Sequence, residues 1–148
     1  MDAAQALADL TEISSQVVQV AIVDRDGTVL ATTIPDEARV ERFVVAVGKL
    51  LGEAEALVQS RNHSGLSQIE ASTLEGSVFA VRLDGRLIVA TTRADPTVGL
   101  VFYDLKHCLG SVEESGATAP PAVDGTANGA AEPGGKQRTP RKKADASA

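Results

Sequence analysis

The 148-residue sequence predicts an α+β fold, an α/β sandwich with the element order α-β-β-α-β-β-β-α. Three observations predict it. Two stretches rich in β-branched residues, 17–34 and 77–92, each turn on an Asp-Gly pair, Asp26-Gly27 and Asp84-Gly85. Such pairs tolerate the positive φ that tight hairpin turns require. One long amphipathic stretch separates the two hairpins, and shorter helical patterns stand at both ends of the same region.

In the first helical pattern, residues 2–15, Ala3, Ala6, Leu7, Leu10 and Ile13 recur at three- and four-residue steps, with Asp2, Gln5, Asp9 and Glu12 opposite them. The first hairpin follows at once, and Pro35 ends its second strand. Asp36 and Glu37 then place acids at the start of the long helix, where the helix dipole favours them. That helix is expected to run to about Gln59, with Val40, Phe43, Val44, Val47, Leu50, Leu51, Ala54, Leu57 and Val58 as its core stripe. A third strand is expected over Leu66–Leu74; it is polar enough for a sheet edge. Glu75-Gly76 turns into the fourth strand and Asp84-Gly85 into the fifth. The fifth holds the densest apolar run, Leu87-Ile-Val-Ala90, as befits a central strand covered on both faces. Asp95 reads as the N-cap of the last helix and Pro96 as its first residue. Val98, Val101, Phe102, Leu105, Cys108 and Leu109 give that helix its apolar face, and Gly110 its stop.

Composition bounds the function. There is no Trp, one Tyr and three Phe, so the core is aliphatic. A small core of modest side chains favours dimerisation as a way to bury more surface. Residues 1–110 hold fifteen acids and nine bases, which argues against specific nucleic-acid binding by this part. Residues 111–148 hold four of the six prolines and only Val112 and Val123 as large aliphatics. Such a segment is expected to be a disordered Pro/Gly/Ala-rich tail. Its basic end, Arg138-Thr-Pro-Arg-Lys-Lys143, offers at most weak, salt-sensitive contact with anionic surfaces, and a solubilising role is the preferred reading. The absence of a secretory signal pattern and of a long apolar run leads to the expectation of a cytoplasmic protein with no membrane span.

No pattern of catalysis or cofactor binding stands out. Asp24-Arg25-Asp26-Gly27 begins like a calcium loop, but Pro35 occupies the place of the bidentate acid, so it reads as a hairpin tip. His107 and Cys108 are sequence neighbours that point in different directions on a helix, and His63 is remote. Metal binding and thiol catalysis are therefore not expected, and Cys108 reads as a small core residue. No phosphate-binding loop is present. The expectation is a non-enzymatic chain with no cofactor.

The matching stretches are Val20-Ala-Ile-Val-Asp-Arg-Asp-Gly27, the helix around 38–57, Gly76-Ser-Val-Phe-Ala-Val81, Arg86-Leu-Ile-Val-Ala90 and Asp95-Pro-Thr-Val-Gly-Leu100. Taken in that order of elements, residues 1–110 resemble the Roadblock/LC7 family of small dimeric modules. These include dynein light chains, lysosomal signalling scaffolds and bacterial regulators of Ras-like GTPases. No single motif is specific, and the tail has no part in the resemblance. The resemblance implies a profilin-like fold with a five-stranded antiparallel sheet in the order 2-1-5-4-3. The long helix would lie on one face and the terminal helices on the other. It also implies a homodimer made by pairing third strands edge to edge and packing long helices together, and a small Ras-like GTPase as partner. The Ala, Val and Arg content and the tail point to a high-GC bacterium.

Two candidate surfaces follow. Val45, Gly48 and Gly52 rotate away from the core face of the long helix, where small residues let a second helix approach, and Gln68, Glu70 and Ser72 lie on the third strand. Together they form the expected dimer interface. Arg25, Leu100, Tyr103 and His107 form the expected partner surface, set against the plainer reading of a solvated turn and an ordinary helix exterior. The leading expectation is a regulator or anchor of a Ras-like GTPase. A scaffold with a non-GTPase partner and a small-ligand sensor with a cavity between sheet and long helix are the alternatives.

Overall fold

In the computed structural model, residues 1–63 and 65–113 are described. The elements are α1 (Ala3–Ile13), β1 (Val17–Val23), β2 (Val29–Thr32), α2 (Glu37–Ser60), β3 (Gln68–Ser72), β4 (Gly76–Leu83), β5 (Arg86–Arg93) and α3 (Val98–Gly110). Their order is the expected one. The five strands form one antiparallel sheet in the order β2-β1-β5-β4-β3. β5 lies between β1 and β4, and Ile88, Val89 and Ala90 are fully buried there.

Strand alternation sorts the core into two layers. Val20, Ile22, Phe79, Val81, Ile88 and Ala90 point to the face covered by α1 and α3, where they meet Leu7, Leu10, Val101 and Leu105. Phe79 and Phe102 add an edge-to-face contact with ring centroids 5.0 Å apart. The alternate residues Ala21, Ala80 and Val89 meet Val47 and Leu51 of α2 on the other face.

Caps explain the helix starts. The Asp2 carboxylate accepts from the Gln5 N–H, and that of Asp36 accepts from the Ala38 and Arg39 N–H groups. The last helix differs from expectation. Asp95 has φ +56°, a turn conformation incompatible with capping, so Thr97 is the N-cap and Val98 the first helical residue. The Gln16 side-chain carbonyl accepts from the Thr97 N–H at 2.6 Å, which ties this helix start to the chain before β1. Gly110 is the last residue of α3 rather than its stop. β3 is shorter than expected because Leu66 and Thr73 are both diverted. The Leu66 N–H donates to Glu55 of α2, while the Thr73 hydroxyl bonds Gly76 in the turn.

The expected core stripe of α2 is also too wide. Val40, Val47 and Leu51 are buried, but Leu50 is 39 % and Leu57 64 % exposed. They sit on the flank of the helix, beyond the reach of a sheet that touches only one side of it.

The two Asp-Gly turns are locked together. Arg25 lies across Gly85, and its Nε donates to the Asp84 carbonyl at 2.8 Å. A Cβ at Gly85 would sit 2.8 Å from Arg25 Cγ, and its φ of +83° independently favours glycine. Next to this lock, buried Arg86 reaches the chain beyond α3. Its two terminal nitrogens donate to the carbonyls of Val112 (2.8 Å) and Glu113 (3.0 Å), and its Nε is 3.7 Å from an Asp24 carboxylate oxygen. Val112 packs into the core, and Glu113 meets Met1 through a backbone bond and an ion pair at 2.8 Å. The compact unit therefore runs to Glu113 rather than to the expected boundary at 110, because a buried guanidinium captures the next turn of chain. Of the expected disordered tail, 111–148, the part from 114 onward, with its basic end, lies outside the described residues.

Arg86→Met should cost about 2–3 kcal/mol in urea unfolding, since it strips a charged donor from two carbonyls. Amide exchange at Val112 and Glu113 should accelerate while β5 stays protected. Asp24→Asn should cost under about 1 kcal/mol, because that carboxylate is partly solvated.

Candidate interaction surfaces

The expected surface residues occupy three separate places. The first is the free edge of β3. Among the described residues β3 pairs only with β4, and the bonds from the Arg82 N–H to the Ser67 carbonyl and from the Thr73 N–H to the Gly76 carbonyl fix which residues face inward. With the register Gln68↔Val81 through Ser72↔Ser77, the odd-numbered residues bond β4. The backbone amides and carbonyls of Gln68, Glu70 and Ser72 therefore point away from the sheet. These are the three residues expected at the dimer edge. Their side chains lie on the α1–α3 face, where the Ser72 hydroxyl bonds the Glu70 carboxylate and lies 3.0 Å from the Ser77 hydroxyl. Leu74, in the turn that follows, is 97 % exposed. Sequence reading counted it as a strand residue, although an apolar side chain beside Glu75-Gly76 was a signal that it belongs to a turn.

The second place is the outer face of α2. Val45, Gly48 and Gly52 are all exposed there, and a Cβ at either glycine would meet only open space. Nothing among the described residues requires these glycines, although each costs about 1 kcal/mol against alanine in a helix interior. Exposed Leu50 and Leu57 continue this apolar character along the flank of the helix.

The third place is the outward side of α3. Leu100, Tyr103 and His107 are exposed, and the Tyr103 and His107 rings stack with centroids 6.3 Å apart and planes within 4°. Arg25 is not part of this patch, since it is held across Gly85 at the tips of the hairpins.

Chemically reactive groups are sparse. Among the described residues, no cluster of three or more His, Cys, Asp and Glu is placed to hold a metal ion. Asp24-Arg25-Asp26-Gly27 is a hairpin tip. The Asp26 carboxylate accepts from the Thr28 N–H at 2.9 Å, and bonding to Thr28 lowers its pKa. Cys108 is buried against the Ala6 carbonyl at 3.4 Å. Burial, and secondarily the charge of Asp9, pushes its thiol from an ordinary 9.0 up to about 11. Among the described residues, no helix is long and apolar enough to cross a membrane.

A cleft of about 630 Å³ runs between β2 and the N-terminal half of α2, lined by Val29, Thr32, Ile34, Val40, Val44 and Val45, with Glu37 and Glu41. A second cleft of about 330 Å³ lies between β2 and α1.

No family model and no curated protein matches the sequence. Solved structures do match the fold. The chain is similar to a Roadblock/LC7 domain from Streptomyces avermitilis, with a TM-score of 0.67 and 11% identity over 75% of this chain and 94% of that one. It is similar to the gliding protein MglB from Thermus thermophilus, with a TM-score of 0.61 and 15% identity over 72% and 82% of the two chains. An MglB with a tetrameric arrangement matches at a TM-score of 0.62 and 15% identity, over 72% and 81%. The fold is that of Roadblock/LC7 domains.

The raised Cys108 pKa makes two outcomes testable. Alkylation by iodoacetamide at pH 8 should be about a hundredfold slower in the folded than in the urea-unfolded chain, as two pKa units imply. Because the folded pKa is the higher one, the contribution of this group to stability is intact below pH 9. It should fall as pH rises toward about 11, as urea titrations in that window would report.

Proposed function

We propose that this Roadblock/LC7-fold chain is a non-enzymatic, homodimeric protein-binding module of the cytoplasm that regulates or anchors a small Ras-like GTPase. The observation that carries the reading is the pairing of two unfilled surfaces in one small unit. One is the β3 edge, with the backbone groups of Gln68, Glu70 and Ser72 directed outward. The other is the α2 face, where Gly48 and Gly52 leave space for a second helix. An unpaired edge is a template for another strand. Joining two β3 edges would extend the sheet across two chains and bring two α2 helices side by side.

The GTPase part rests on the family resemblance read from the order of elements, with the likeness to MglB in fold. The stacked Tyr103–His107 pair with Leu100 supplies an aromatic and apolar patch on the outward side of α3 for such a partner. The mechanism is surface complementarity: a rigid platform holds the partner's mobile segments in one arrangement.

Light scattering of the purified chain should give twice its 15.3 kDa mass. Glu70→Pro removes one outward N–H without touching the bonds to β4, and Gly48→Glu fills the helix contact. Each should return the particle to the single-chain mass with an unchanged circular dichroism spectrum. A wild-type particle already at the single-chain mass would refute the dimer. Affinity capture from native lysate, with and without a non-hydrolysable GTP analogue, should recover a small GTPase whose retention depends on the analogue. A partner indifferent to nucleotide would replace the GTPase reading by the scaffold one.

A further inference from the structure

We infer that the β2 edge, at the opposite side of the sheet from β3, is a docking slot for an extended segment of another protein. The docked segment would act as a sixth strand with basic side chains on its α2 side. This goes beyond the dimer and GTPase reading and does not depend on it.

Three observations meet at this edge. Among the described residues β2 pairs only with β1. The Thr33 N–H bonds the Val20 carbonyl and Ala31 lies opposite Ile22 in the same register, so the backbone amide and carbonyl of Thr32 point outward, beside the bulge that ends the pairing at Val29. The two clefts flank this one strand on its two faces, one under α2 and one under α1. A strand added beside β2 presents alternate side chains to opposite faces, so it would fill both clefts at once. Neither cleft is an enclosed cavity, and a compact small molecule would reach only one of them.

Charge selects the occupant. Glu37 and Glu41, one helical turn apart, line the larger cleft above an apolar floor of Val29, Ile34, Val40 and Val44. Among the described residues neither carboxylate is in an ion pair. The smaller cleft is lined by Ala4, Leu7, Ala8 and Thr11 with residues 30–32 of β2 and Thr33 after it, and none of these is charged. The fitting segment is therefore apolar and basic on one side, and small or apolar on the other. A second copy of this chain is a poor occupant, since pairing two β2 edges would bring a second Glu37–Glu41 pair toward the first.

The test selects a displayed library of random ten-residue peptides against the full chain. Enriched sequences should alternate, carrying Lys or Arg with aliphatic residues at every second position. The consensus peptide should shift the amide resonances of Val29–Thr33 and the methyl resonances of Val40 and Val44. The double variant Glu37→Lys with Glu41→Lys should bind that peptide at least about tenfold more weakly, and selection against it should return acidic peptides instead. Glu70→Pro should bind the consensus peptide as wild type does, which separates this slot from the dimer edge. Failure to enrich any sequence, enrichment without bases, or shifts centred on β3 or α3 would each overturn the slot. So would a folded double variant that keeps wild-type affinity, or one that self-associates through β2.

Discussion

The whole arrangement depends on the antiparallel pairing of β1 with β5. Each belongs to a local hairpin that forms around its own Asp-Gly turn, but their pairing joins residues about seventy positions apart, from Val20↔Ala90 to Val23↔Leu87. It buries Val20, Ala21, Ile22, Ile88, Val89 and Ala90 almost completely. These aliphatic side chains each remove apolar surface from water, worth about 1.5–3 kcal/mol for a full Val or Ile. In a chain with so few aromatic residues, this central seam carries much of what holds the two faces together.

At one end of the seam the hairpin tips are cross-braced. Arg25 crosses Gly85, and Arg86 reaches Asp24, Val112 and Glu113. Arg86 is not interchangeable with another side chain, because its flat donor group meets two carbonyls and a carboxylate at once. Arg86 also makes the end of the folded unit part of its core. The segment after α3 is held by its carbonyls on Arg86, by Val112 in the core and by the Glu113 carboxylate on the Met1 amine.

An open sheet covered on both faces solves burial but leaves two edges. Here the edges differ in character. The β3 edge ends at a bare leucine, and the outer face of α2 carries small residues; together they suit a symmetric, closely packed contact. The β2 edge has an open cleft on each of its faces, the larger one bordered by paired carboxylates, which suits a narrow, oppositely charged strand. The same sheet can thus serve two kinds of association without one obstructing the other, since the edges are separated by the width of β1, β5 and β4.

Much of this was legible in the sequence, because the relevant physics is local. Periodicity named all three helices and all five strands. The Asp36 start of α2, the Asp-Gly turns and the central place of Leu87-Ile-Val-Ala90 follow from short-range chemistry, whereas Asp2, expected on the polar face of α1, is its cap. That Gln68, Glu70 and Ser72 share one face could likewise be read from strand alternation, whereas the outward direction of their backbone groups follows from the register with β4. Other features depended on partners distant in the chain. Leu50 and Leu57 share the pattern of the buried stripe, yet which of its residues are covered is decided by where the sheet lies against the helix. Asp95 has the composition of a cap and takes a turn instead, with Gln16 meeting Thr97 from far away in the chain. Arg25 looks like a free hairpin residue and is committed to Gly85. The two clefts beside β2 exist only because α1 and α2, distant in sequence, are both set against one edge strand. Composition and periodicity determined which elements form; the packing of remote elements alone decided which surfaces remain open.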